Sequence, residues 1–369
     1  MKKYTRIAAL GISAALVVAA CGSDDDEADD AAADDSTEEA SDSASASDSA
    51  SASASEPAPE SDIVLGIAYD TGGRGDGTFN DSAGAGADRA VSELGVELEE
   101  LEAATADDRQ PNLQTLTDAG ANPIVAIGFA FGDALAEVAP ANPDTNYAIV
   151  DGFIPDAPEN VQLIAFAEEE GSFLVGAAAA LACGCDQLGF IGGQEIDLIK
   201  KFEAGYTAGA EAINPDVTVE VQYLGAAGDN NAWAAPDRAR EIANAWYADG
   251  VEVIYTAAGG SGQGTIEAAV ESEAWAIGVD SDQYLTATPE QQERILTSML
   301  KRVDSSVFAL AEAATGGEFA GGPAPIVFDL STDGVGYSTE GGYLDEFVDQ
   351  LEDLKAQIIA GDIEVPTAP

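Results

Sequence analysis

The chain has 369 residues, with 68 acids against 14 bases, no histidine and a formal net charge of -54. Such acidity leaves no basic footprint for nucleic-acid phosphates, and the missing imidazole removes histidine-based acid–base catalysis, histidine metal sites and the usual catalytic triads. The length suggests two domains, and 46% hydrophobic content, rich in alanine and glycine, is enough for real cores.

Residues 1–21 open with Lys2, Lys3 and Arg6 and continue through an apolar run from about Ala8 to Ala20. That run is too short for a permanent transmembrane helix and reads as a secretory signal. Val18-Ala19-Ala20-Cys21-Gly22 has the form of a bacterial lipobox, in which Cys21 becomes the lipid-bearing residue. Residues 22–61 are almost wholly Ser, Ala, Asp and Glu, with nothing to bury, and are expected to be a disordered, self-repelling tether. The remainder still carries 54 acids and 11 bases, so the acidity belongs to the fold as well as the tether. Such a surface stays soluble in high salt, which fits a saline habitat; drift in an acidic proteome fits equally.

From residue 62 onward, apolar runs alternate with helix-like segments. Strands are predicted at 63–69, 96–101, 123–127, 147–150 and 161–166, with helices at 82–94, 110–119, 133–139 and 168–183. The pattern then repeats: strands at 188–191, 217–223, 251–255 and 274–279, helices at 198–213, 233–247 and 262–271. A helix over 291–315, strands at 325–329 and 336–338 and a helix over 342–360 complete the prediction. Alternation of this kind gives α/β architecture with parallel sheets, here in two similar lobes. Cys183 and Cys185, spaced C-x-C, lack further ligands nearby for a metal; neighbours this close rarely form an unstrained disulfide, though the compartment would permit one, so they read as a local structural feature with the bridge left open.

In open parallel sheets, ligands bind outside the carboxyl ends of strands. Those ends here carry Asp70, followed by Phe79 and Asn80, then Gly128-Phe129 and Asp151-Gly152. In the second half they carry Gly192-Gly193, Gly225, Gly259-Gly260 and Asp280. Glycines admit close backbone approach, carboxylates accept from hydroxyls and aromatic faces stack on flat rings. The set describes a cleft for a neutral, hydroxylated, ring-bearing molecule, and no nucleophile stands beside a base. The phosphate-loop pattern is absent and Asp76 in the first loop opposes phosphate; the Ca²⁺-loop spacing is missing; two catalytic carboxylates cannot be placed at glycosidase separation from sequence. Arg74-Gly75-Asp76 matches an adhesion tripeptide too short to carry weight. Lys301, on the predicted helix, stands out only because bases are scarce.

Several runs resemble, in order, the basic membrane lipoprotein family, substrate-binding proteins of ABC-type nucleoside importers. They are Asp70 with Gly77-Thr78-Phe79-Asn80, the run from Ala167 to Gly176, Gly189-Phe190-Ile191-Gly192-Gly193, and Lys201-Phe202-Glu203-Ala204-Gly205-Tyr206. Ala257-Ala258-Gly259-Gly260-Ser261-Gly262 and Ile277-Gly278-Val279-Asp280-Ser281-Asp282-Gln283 complete the series. The resemblance implies a type I periplasmic-binding-protein fold: two Rossmann-like lobes, three crossovers and a hinge. It places residues 62–166 and about 286–320 in the first lobe, and 167–285 and about 321–369 in the second. It implies no enzyme activity, no cofactor and no metal. In the cleft, Asp70 and Asn80 would bond a base edge, Phe79 would stack on it, and Asp280 and Lys301 would hold ribose hydroxyls. Asp151, Gly259 and Gly260 would be cleft positions and Phe129 and Phe202 aromatic walls. The expected partners are a nucleoside, purine first, and the permease subunits of an ABC transporter. The expected setting is a monomer, lipid-anchored on the extracytoplasmic face of the cell membrane. Another small ligand (a flavin, sugar or signalling molecule) or a role as sensor for a membrane receptor is the alternative; a transcription regulator of this fold would need an N-terminal DNA-binding unit where the lipobox and tether stand.

Overall fold

A computed structural model describes residues 61–369, so Cys21 and the acidic tether lie outside the described residues. Among the described residues, twelve strands form two six-stranded sheets. The first half of the chain gives β1 (Val64–Tyr69), α1 (Phe79–Leu94), β2 (Glu97–Glu102), α2 (Arg109–Ala119), β3 (Ile124–Ile127), α3 (Gly132–Ala141), β4 (Tyr147–Val150) and β5 (Val161–Phe166). The second gives α4 (Glu168–Cys183), β6 (Gln187–Glu195), α5 (Asp197–Ile213), β7 (Thr218–Ala226), α6 (Pro236–Asp249), β8 (Val253–Ala257), α7 (Gly262–Ser272) and β9 (Trp275–Asp280). Then come α8 (Pro289–Gln292), β10 (Ile295–Lys301), α9 (Val303–Thr315), β11 (Gly322–Phe328), β12 (Val335–Tyr337) and α10 (Val348–Ala360).

The first sheet has the order β11-β5-β4-β3-β1-β2 and is parallel throughout. The second has the order β12-β10-β9-β8-β6-β7, parallel except for β12 against β10. The central strands β3, β4 and β8 are buried along their whole length, as strands covered by helices on both faces must be. Edge strand β2, ELEELE, turns a row of glutamates outward, which blunts edge pairing. In the second lobe α4 and α5 pack backbone to backbone. A Cβ at Gly176, Gly205 or Gly209 would overlap the carbonyl of Tyr206, Glu169 or Phe173.

The two sheets have the same architecture, and the chain passes between them three times: at Phe166–Glu168, at Lys301–Val303 and between Phe328 and Val335. This is the type I periplasmic-binding-protein arrangement.

Two expectations are corrected and one open point is resolved. The helix over 291–315 is instead a short helix, a strand and a helix; Ile295–Lys301 fills the slot between β9 and β12. Helix-forming Gln, Glu and Arg flank that run, but five of its first five residues are buried, and sheet pairing overrides local propensity. Lys301 therefore ends a strand. The lobe boundaries shift with it: β10 joins the second sheet and β11 the first, with α9 against α1. Finally, Cys183 and Cys185 are joined by a disulfide; Gly184 between them is left-handed and brings their Cα atoms to 5.1 Å, within the ordinary range.

Candidate ligand-binding cleft

The loop after β1 is tied by its own carboxylates. Asp76 accepts from the backbone N–H groups of Thr78 (2.9 Å), Asn80 (2.9 Å) and Asp81 (3.1 Å), the open donors at the start of α1. A helix N-terminus attracts anions, and here the protein's own acid takes that place. Asp81 accepts from Gly75 and Gly77, and Arg74 folds back onto Asp88 at 2.6 Å, which occupies the adhesion-like tripeptide. Burial raises the Asp76 pKa, with the three N–H groups opposing the rise. The Asn80 side chain donates through Nδ2 to Asp76 at 3.1 Å. Because Asp76 accepts, that bond fixes the amide orientation and leaves Asn80 Oδ1 buried and without a hydrogen-bond partner among the described residues.

The other strand ends add acids in an unusual backbone state. Asp151 follows β4 with φ 62° and Asp280 ends β9 with φ 65°, left-handed conformations that a non-glycine residue adopts at a cost and that cluster at ligand sites. Lys301, at the end of β10, is 2% exposed. Its Nζ donates to Asp151 Oδ2 at 2.5 Å and lies 3.1 Å from Glu168 Oε1. Burial works against its charge, but Asp151, Glu168 and Asp280 outweigh burial and hold the ammonium above its ordinary range. The Nζ also stands 5.0 Å from the Phe166 ring centre, 5.3 Å from Phe79 and 5.5 Å from Phe202, within cation–π range. Glu168, fully buried, is shared with Lys201 at 3.0 Å. Burial pushes the Asp151 carboxyl up against the pull of Lys301. Asp280 is pushed up to about 7 by burial, with Lys301 offsetting part of it and Asp151 adding to it.

These ends converge on one cavity of about 100 Å³, partly open to solvent. Asp70, Phe79, Asn80, Phe129, Asp151, Phe202, Gly259, Gly260, Asp280 and Lys301 all line it. The lobes touch across it: Phe129 meets Trp233 edge to face at 6.2 Å, and Ser281 Oγ donates to the Thr78 carbonyl at 2.8 Å. Asp151 Oδ1 and Thr78 Oγ1 are further buried oxygens without partners among the described residues. The net charge of this lining is negative, its one ammonium already engaged by two carboxylates. Such a pocket suits a neutral molecule with a flat ring and several donors, and opposes phosphate.

Sequence reasoning missed Trp233, Glu168 and Arg109. The sequence reading starts a helix at Trp233, whereas Trp233 ends a turn (Asn230–Trp233) before Pro236 opens α6; the Pro three residues after Trp233 was the available signal. Glu168 lay inside a quoted run with no role. Arg109 gave no sign that it reaches Asp70, 39 positions away.

Residues 63–368 match the family model for PnrA-like ABC transporter substrate-binding proteins. The chain is 34% identical to a Listeria innocua protein named a CD4+ T-cell-stimulating antigen, over all of both chains. It is 33% identical to the ABC transporter nucleoside-binding protein BmpA of Lactococcus lactis, over 84% of this chain and 90% of that one. Among solved structures, an ABC transporter solute-binding protein from Aeropyrum pernix superposes with a TM-score of 0.72 at 27% identity, over 83% of this chain and 93% of that one.

Proposed function

From the premise that the chain belongs to the Bmp family of ABC transporter substrate-binding proteins, which bind a substrate and do not turn it over, we propose that it captures a purine nucleoside and presents it to the permease. The observation that supports this reading is the lining of the cleft. Phe79, Phe129, Phe202 and Trp233 supply flat apolar surface, while the buried unpartnered polar atoms of lining residues are oxygens, Asn80 Oδ1 and Asp151 Oδ1. A base between aromatic rings with ribose hydroxyls donating to Asp280 and Asp151 satisfies both features. Lys301 has three N–H groups, one donated to Asp151 while Glu168 stands in ion-pair contact, which leaves donor capacity for a ribose oxygen. The negative lining and the self-capped α1 select the nucleoside over its 5′-phosphate. Hinged closure, which excludes water as the lobes meet, uses the contacts Phe129–Trp233 and Ser281–Thr78.

In the same proposal Cys21 carries the lipid anchor, the tether spans from membrane to fold, and the protein works as a monomer on the extracytoplasmic face. Cys21→Ala is expected to release the protein from the membrane fraction of cells producing it; retention there removes the anchor.

The binding reading is tested with a thermal-shift and calorimetry panel of nucleosides, 5′-monophosphates, free bases, riboflavin and sugars. At 100-fold excess over Kd a true ligand stabilises by about 2.7 kcal/mol. A shift with purine nucleosides, weaker or absent with their monophosphates, is the expected result. A shift with a sugar or flavin and none with any nucleoside overturns it.

A further inference from the structure

Arg109, the first residue of α2, lies behind the cleft wall and is 8% exposed. Its Nε donates to Asp70 Oδ1 at 2.8 Å, and its Nη2 makes an ion-pair contact with the same oxygen at 2.8 Å. The Thr71 backbone N–H also donates to Oδ1, at 2.8 Å. One oxygen of Asp70 is therefore saturated, and the other, Oδ2, makes no hydrogen bond among the described residues. Oδ2 lies near Gly128: a Cβ built there would stand in ordinary contact, 3.5 Å from Oδ2 and 3.8 Å from the Phe79 ring. The free oxygen and the Phe79 ring thus border the same position at Gly128. Asn80 also lines the cleft, its Nδ2 engaged by Asp76 and its Oδ1 buried and without a hydrogen-bond partner among the described residues.

We infer that Arg109 is a positioning residue that sets the base specificity of the cleft. By holding Asp70 through Oδ1 it aims Oδ2, alongside Asn80 Oδ1, as an acceptor-only edge, and the site selects a nucleoside whose base carries an exocyclic amino group. The inference rests on the nucleoside reading above. A base lacking that donor leaves a buried acceptor unpaired, the costlier side of the hydrogen-bond balance.

The test compares ligands that differ by loss of an amino group without added bulk: adenosine against purine riboside, and guanosine against inosine. Calorimetry on the full chain is expected to show at least one amino nucleoside binding about tenfold or more tightly than its partner. Arg109→Met is expected to bring that ratio to within about threefold by weakening only the amino nucleoside, whereas Arg109→Lys, which keeps the charge and an N–H donor, retains most of it. Should Arg109→Met fail to give a folded protein, Asp70→Asn is expected to collapse the ratio in its place. Equal loss for both members of a pair makes Arg109 merely structural and overturns the inference, as does a wild-type ratio near one. Absence of binding by any of the four nucleosides removes the nucleoside reading as well, so the two failures are distinct.

Discussion

Asp151 and Asp280 close equivalent strands of the two sheets, β4 and β9, in nearly the same left-handed backbone conformation, and yet their surroundings differ. Asp151 is held by Lys301 at 2.5 Å; Asp280 has no hydrogen bond to its carboxylate among the described residues and faces the cavity. The difference comes from the crossing strand. β10 belongs to the second sheet, but Lys301 at its end reaches back to the first lobe's acid. Two lobes of one architecture thus yield two kinds of acid: one locks the lobes' junction, the other remains for a ligand.

The sharpest way to break this contrast is to remove the cation. Lys301→Met leaves Asp151 and Glu168 buried with no charge partner at that end. Loss of one member of a buried ion pair costs about 3–5 kcal/mol, to be read from urea unfolding. Adding Asp151→Asn to that variant is expected to recover part of the loss. If Lys301→Met unfolds like wild type, the junction is held by something else and the asymmetry of the two acids has no energetic meaning.

Asp280→Asn probes the other acid. Above pH about 8, where the Asp280 carboxyl is ionised, replacing this acceptor of ribose hydroxyls is expected to weaken nucleoside binding by about 1.5–3 kcal/mol, the worth of a hydrogen bond to a charged group. It should also change the pH dependence of the empty protein. Burial raises the Asp280 carboxyl from 3.8 to about 7, so the folded state holds that proton more tightly than the unfolded chain. Its contribution is therefore full below pH about 4 and falls as pH rises toward 7. Asp280→Asn is expected to flatten that fall, measured as unfolding free energy between pH 4.5 and about 7.5. An unchanged slope would mean that Asp280 is already ionised through contact with water.

Phe79→Ala extends the comparison from acids to aromatics, since Phe79 faces the cleft from the first lobe and Phe202 from the second. Loss of one stacking partner is worth about 1–3 kcal/mol per base. Phe79→Ala is expected to weaken the nucleoside by that amount while leaving the Lys301 cluster's contribution to stability in place. Equal affinity would transfer the base to Phe129 or Trp233.

The layout of strands and the cleft residues at their ends were legible because a parallel sheet writes itself as short apolar runs ending in glycine and aspartate. What was not legible depended on partners distant in sequence. Ile295–Lys301 read as helix because its flanks are helix formers; only the vacant position beside β9 makes it a strand. The lysine was conspicuous for its rarity, but its two acids, at 151 and 168, belong to other parts of the chain. Arg109 and Asp70 meet for the same reason: the start of α2 lies over the end of β1 once β2 and β3 flank it. Asp76 was legible as an obstacle to phosphate, though not as the cap of α1 that makes it one.

The smallest expected effect lies at the seam where the lobes meet. Ser281 follows Asp280 in the second lobe, and its hydroxyl donates to the carbonyl of Thr78 at the head of α1 in the first. A bond across the cleft exists only while the lobes touch, so in the proposed hinge motion it stabilises the closed state alone. Ser281→Ala is expected to cost about 1 kcal/mol there, a few-fold in nucleoside affinity. Because opening precedes release, the loss should fall on the dissociation rate, with the association rate unchanged. If the variant instead lowers unfolding stability and leaves dissociation untouched, the seam is part of a single rigid body. Asp280 would then await its ligand in a cavity that does not open, and the contrast with Asp151 would be one of static lining, not of a moving and a fixed half.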